Sequence, residues 1–210
     1  MATEEMQNFR ELFPQSQIPV VIASVFQAAR TLNKTSRGDR EDSLTRRLHS
    51  RLVKIHPFRD GPLSVHFKPK IPGDDIDADT SGGEIDLLVS CDRGYEVYFA
   101  FEAKRLRFQS SGRLVLGNDQ YVNNGMMRFV SGQYAPLMEA GGMIGYVFDG
   151  NSEQARLDVD RYVTAHAGEL KLRPPHQLAP SSLLDQIAVD ETGHDLDSRP
   201  FIIYHLFVPV

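Results

Sequence analysis

Four side chains have the types and spacing to do chemistry together: Glu41, Asp86, Glu102 and Lys104. The stretch VYFAFEAKRLR (97–107) runs five apolar residues straight into Glu102, Ala103 and Lys104. An apolar strand has no packing use for a carboxylate and an ammonium two positions apart. Alternate strand residues share a face, so Tyr98, Ala100, Glu102 and Lys104 line one side and Val97, Phe99, Phe101 and Ala103 the other. In the same way Glu84, Asp86 and Leu88 oppose Ile85, Leu87 and Val89. Carboxylates converging beside an ammonium suit a hard divalent cation, Mg²⁺ or Mn²⁺, which takes oxygen ligands and keeps waters for substrate phosphates. Such an ion lowers the pKa of a bound water and neutralises a phosphodiester. Lys104 would orient that water or stabilise the developing negative charge.

The elements must bring these residues together. Segments 84–90 and 95–104, joined by CDRG (91–94), are expected to form an antiparallel hairpin that sets Asp86 near Glu102 and Lys104. A helix over 41–55 carries Leu44, Leu48, Leu52 and Ile55 in one stripe, with Glu41 on the same side. Asp39 reads as its N-cap, with Asp42 as the capping partner. Glu84 reads as a solvated strand start. Further strands are expected at 63–68, 143–148 and 201–208, and helices over 1–33, with a break near Pro14 and a second helix at 18–33, and at 119–140 and 151–168. Segment 174–200 reads as loop. Helices, three strands, helix, strand, helix, strand make an α/β sandwich with a mixed central sheet, in one domain spanning 1–210.

Asp86 and Glu102-Ala103-Lys104, preceded by a helical Glu41 and followed by a long helix, resemble the motif of the PD-(D/E)XK, or restriction-endonuclease-like, nuclease superfamily. The resemblance covers 39–150, with 1–38 as an N-terminal helical elaboration and 151–210 as a C-terminal helix and strand. It implies a Mg²⁺-dependent phosphodiesterase in which Asp86, Glu102, the Ala103 carbonyl and Glu41 hold the metal and Lys104 serves the water. It implies DNA as the favoured substrate, 5′-phosphate products, and a homo-oligomer or an activating partner. The Glu-Ala-Lys wording is also similar to that of DNases in antiphage defence. Ile85 stands where the motif's name has Pro. Gln133 is followed four residues later by Leu137 rather than Tyr, which sets the chain apart from RecB-like members. Gln133 and Arg128 are expected to reach substrate. Arg105 and Arg107, with Arg113, and Arg46, Arg47, Arg51 and Lys54 on the 41–55 helix, are the natural phosphate contacts.

Other chemistries find no support. Seven His and one Cys show no zinc spacing. No Gly-x-Ser-x-Gly elbow or phosphate-binding Gly-x-x-x-x-Gly-Lys loop occurs. Asp75, Asp77 and Asp79 mimic the start of an EF-hand loop, but Thr80 replaces its sixth-position Gly and Asp86 its final Glu. The net charge of −5 in 210 residues is unlike a protein coated for nucleic acid, although a local basic patch suffices. No run approaches the roughly 18 apolar residues of a membrane span, and the N-terminus lacks a signal peptide's basic start. Lone Cys91 fits a reducing cytoplasm. Two readings compete with the nuclease: an inactive scaffold of the same fold, and an interaction subunit using IPVVIASVF (18–26) as its contact surface.

Overall fold

A computed structural model describes residues 12–36, 38–71, 83–91, 97–185, 187–196 and 199–210. The acidic loop carrying Asp75, Asp77 and Asp79, most of the CDRG turn and the first 11 residues lie outside the described residues. Pro14 is extended and leads into a 3₁₀ turn and helix α1 (Ile18–Ala29), with Pro19 in the first turn, where its missing N–H is not needed. Ile18, Val21, Ile22, Val25 and Ala28 are buried. The IPVVIASVF run is therefore occupied mainly by this chain's own core.

Helix α2 (Glu41–Leu52) buries Leu44, Thr45, Leu48 and Leu52, and Glu41 and Asp42 sit in its first turn, where the helix dipole favours carboxylates. The cap differs from expectation. Arg40 is the N-cap residue and makes no side-chain bond to the helix. Asp39 instead accepts from Thr35 N (2.7 Å) and from Arg47 (2.6 Å), closing the preceding loop. The helix ends at Leu52, and Ile55 follows in a turn that still packs on the core.

Strands β1 (Leu63–Phe67), β2 (Lys70–Ile71), β3 (Gly83–Glu84), β4 (Leu87–Cys91) and β5 (Tyr98–Leu106) come next. The hairpin β6 (Phe108–Ser110) and β7 (Arg113–Val115) follows, in a stretch without apolar alternation. Helix α3 (Asn118–Tyr121), a π turn (Val122–Met126) and α4 (Met127–Val130) form the crossover to β8 (Ala140–Val147). The expected 119–140 helix thus stops ten residues early: Gly132 takes the left-handed φ of 77° that ends helices. The chain closes with α5 (Ser152–Ala165), β9 (Ala179–Pro180), β10 (Asp190–Leu196) and β11 (Arg199–Pro209). Asn151 caps α5, its Oδ1 accepting from Gln154 N at 3.0 Å.

Seven strands form one mixed sheet in the order β1-β4-β5-β8-β11-β10-β9. The β5–β8 and β8–β11 pairs are parallel and the outer pairs antiparallel. Thr45 of α2 bonds the Tyr146 hydroxyl (3.1 Å), while Tyr121 of α3 approaches Gly145. Neighbouring residues of a strand face opposite ways, so helices cover both sides of the sheet. The protein is α/β with a mixed central sheet flanked by helices. Every residue of β8 is buried, as parallel strands require. A methyl on Gly142 would lie 2.4 Å from the Phe101 ring, so glycine there lets β8 close onto β5.

The strand β10 in the expected loop has a physical explanation. Its inward residues are polar: Asp190, Thr192 and His194. The Thr192 hydroxyl bonds His194 Nε2 (2.8 Å) and His205 Nε2 (2.9 Å), and Tyr121 reaches His205 Nδ1 (3.0 Å). Arg156 grips Asp190 with two bonds of 2.6 and 2.7 Å. Partners of this kind make buried polar groups tolerable, and they are invisible in a hydropathy pattern.

Candidate active site

The β4–β5 ladder pairs Leu87 with Phe101 and Leu88 with Ala100. Continued one residue, that register sets Asp86 opposite Glu102. Main-chain bonds from Ile85 N to Pro69 O and from Lys68 N to Asp86 O, both 3.2 Å, tie this end of the strand to the segment after β1. Asp86 Oδ2 accepts from Ala103 N at 2.8 Å. The residue between Glu102 and Lys104 thus fixes the acid on the neighbouring strand.

Glu102 is 1% exposed and Lys104 6%. Lys104 Nζ donates to Glu102 Oε1 and, at 3.1 Å, to Ala103 O. Arg128 of α4 meets the same Glu102 oxygen at 3.1 Å. Arg128 also donates to the Tyr134 hydroxyl, which in turn donates to Glu84 O. Glu102 Oε2 is buried and has no hydrogen-bond partner.

Burial pushes Glu102 up to about 7, with the neighbouring Asp86 charge adding to the effect and Lys104 and Arg128 opposing it. Burial likewise raises Asp86, against the Ala103 N–H and the charges of Lys104 and Lys68. Two acids whose charged forms are this costly are poised to take a cation.

A cleft of about 210 Å³ opens over these residues. Its acids are Glu41, Asp42, Glu84, Asp86 and Glu102, and its cations are Lys68, Lys104 and Arg128. Five carboxylates against three cations leave a formal charge of −2 when all are ionised. Gln133 also lines the cleft. The structure therefore brings together Glu41, Asp86, Glu102, Lys104, Arg128 and Gln133. Lys68, Tyr134 and the roles of Asp42 and Glu84 were not anticipated. Glu84 is an exposed strand residue of β3 and Asp42 lies in the first turn of α2; both pair with Lys68, at 2.8 and 2.9 Å.

Arg105 and Arg107 lie elsewhere. Arg105 stacks its guanidinium 4.3 Å from the Phe108 ring and donates to Asp39 O. Arg107 is held by Asp149 (2.7 Å) and Asp158 (2.5 Å) beside a cavity of about 660 Å³, which also touches Lys34 and Phe148. That cavity holds none of the acids converging at β5. Of the basic residues on α2, Arg47 pairs with Asp39, Arg51 bonds Thr31, and Arg46 lies 5.0 Å over the Phe67 ring.

Among the described residues no group of three or more His, Cys, Asp and Glu side chains is drawn close enough to hold a metal by itself. The donor set still fits Mg²⁺, which binds through one or two carboxylates and keeps several waters. Asp86 and Glu102 would be those carboxylates. The unpartnered Oε2 is a buried oxygen that needs a cationic or hydrogen-bonding partner. Among the described residues no helix is long and apolar enough to cross a membrane. Comparison with protein-family models, curated proteins and solved structures returns no match.

Proposed function

We propose that this chain is a metal-dependent nuclease of the restriction-endonuclease-like fold, acting on DNA in a reducing cytoplasm. The observation that carries the reading is the Asp86–Glu102–Lys104 group: two nearly buried acids, one immediately before β4 and one on β5, the latter with an unpartnered oxygen, beside a nearly buried ammonium. Asp86 and Glu102 would hold Mg²⁺ or Mn²⁺, with Glu41 at the cleft wall as a further acid. When bound, the ion supplies Lewis-acid polarisation and a more acidic water. Ala103 N–H keeps Asp86 aimed at the site. Lys104 Nζ, anchored on Ala103 O, orients the attacking water and stabilises negative charge at the phosphorus oxygens. Arg128, steadied by Tyr134, neutralises Glu102 in the free protein. Gln133 lies at the rim, where it can meet the substrate.

A second reading has its own observation. Lys104 and Arg128 both converge on Glu102 Oε1, as they would in a structural ion cluster of an inactive scaffold or interaction subunit. Metal binding separates the two. Isothermal calorimetry with Mn²⁺ on the wild type and on Asp86→Ala is expected to show binding that the substitution removes. No binding to the wild type would favour the scaffold.

A further inference from the structure

We infer that Lys68 is a phosphate-binding residue of the cleft, the cation that meets the nucleic-acid backbone. The inference rests on the nuclease reading and extends it to how substrate is received.

Lys68 follows β1 with φ 51°, in the left-handed region that a residue with a Cβ adopts only at a cost. Its ammonium bridges Asp42 on α2 and Glu84 on β3. Those carboxylates are about half exposed, at 52% and 44% of the side chain. Exposed pairs of this kind contribute little to stability. The bridge therefore at most offsets the backbone conformation, and stability alone does not explain it. Strained residues of this kind concentrate at binding and catalytic sites.

Position supplies the rest. Lys68 N donates to Asp86 O, so the residue carrying the ammonium is tied directly to the residue carrying the acid. Lys104 and Arg128 are committed to Glu102 Oε1, whereas Lys68 holds only half-exposed acids. A cleft of formal charge −2 repels a phosphodiester. Once a divalent ion balances that charge, the ammonium that can exchange partners at least cost is Lys68. A phosphate oxygen would replace Asp42 and Glu84 as its acceptor.

The test is the salt dependence of DNA binding, measured by fluorescence anisotropy on a short duplex with Ca²⁺ in place of Mg²⁺. Lys68→Met is expected to lower the magnitude of the slope of log K against log salt by about 1, the loss of one phosphate contact. Lys68→Arg is expected to keep the wild-type slope. An unchanged slope in Lys68→Met, or a wild type that binds no duplex, would overturn the inference. Plasmid cleavage in Mg²⁺, run in parallel, keeps the two readings apart. Cleavage with an unchanged slope removes only the Lys68 role. A reduced slope without cleavage keeps that role and removes the nuclease.

Discussion

Ala103 N–H donates to Asp86 Oδ2 at 2.8 Å, and the residues on either side of Ala103 are Glu102 and Lys104. One backbone group of β5 therefore holds the acid just before β4 beside the acid on β5. On its other side β5 packs closely against β8, where Gly142 lies against the Phe101 ring. Chemistry at the cleft and packing at the sheet centre are thus linked through a single strand.

Metal binding should be visible as stability. At 100 times its Kd, Mg²⁺ would stabilise the fold by about 2.7 kcal/mol, which for a chain of this size raises Tm by roughly 5–10 °C. Asp86→Ala is expected to lose most of that rise. Differential scanning calorimetry across a Mg²⁺ series measures it.

The glycine at the β5–β8 contact sets a second expectation. Gly142→Ala drives a methyl into the Phe101 ring and should destabilise by about 1–3 kcal/mol. Urea denaturation reads the loss. Since Phe101 precedes Glu102 on β5, activity per folded molecule is expected to fall as well.

Arg107 belongs to the fold and not to the cleft. Its removal leaves Asp158, 5% exposed, without its closest cation, a loss of roughly 3 kcal/mol for a buried pair. Arg107→Ala should lower the urea midpoint while cleavage by the folded fraction persists. A midpoint like the wild type's, with weakened DNA binding, would return Arg107 to the substrate contacts.

Acid should loosen the β10–β11 end. Burial lowers His205 to about 3 and His194 to about 4 from an ordinary 6.5. The unfolded chain then binds protons that the fold refuses. The histidine contribution is fully present above pH 6.5 and declines as pH falls towards 4, by about 1.4 kcal/mol per pH unit for each histidine. Glu102, raised from 4.5 to about 7, is protonated in the fold and works in the opposite sense between those values. Comparing His194→Gln with the wild type isolates the histidine: urea midpoints at pH 7.5, 6 and 5 should fall less steeply in the variant.

Much of this site is readable along the chain because strand alternation is local. Glu102 and Lys104 must share a face, and a hairpin partner ending in Asp86 needs only the observed register to meet them. Glu41 is placed by the Leu44–Leu48–Leu52 stripe. Lys68 and Tyr134 escape such reading, since Lys68 enters through a left-handed turn and Tyr134 through a break after Gly132. Both serve the cleft by contacts that span many residues. The outer sheet is equally opaque: β10 buries Asp190, Thr192 and His194, and only Arg156, His205 and Tyr121, far away in sequence, make that burial possible.

The central claim is that Asp86, Glu102 and Lys104 form a working hydrolytic site. Plasmid and single-stranded DNA incubated with Mg²⁺, Mn²⁺ or EDTA, beside Asp86→Ala and Lys104→Ala, tests it most directly. The account predicts metal-dependent cleavage by the wild type, none in EDTA, and none by either variant although both fold. Cleavage by Lys104→Ala at the wild-type rate would contradict it.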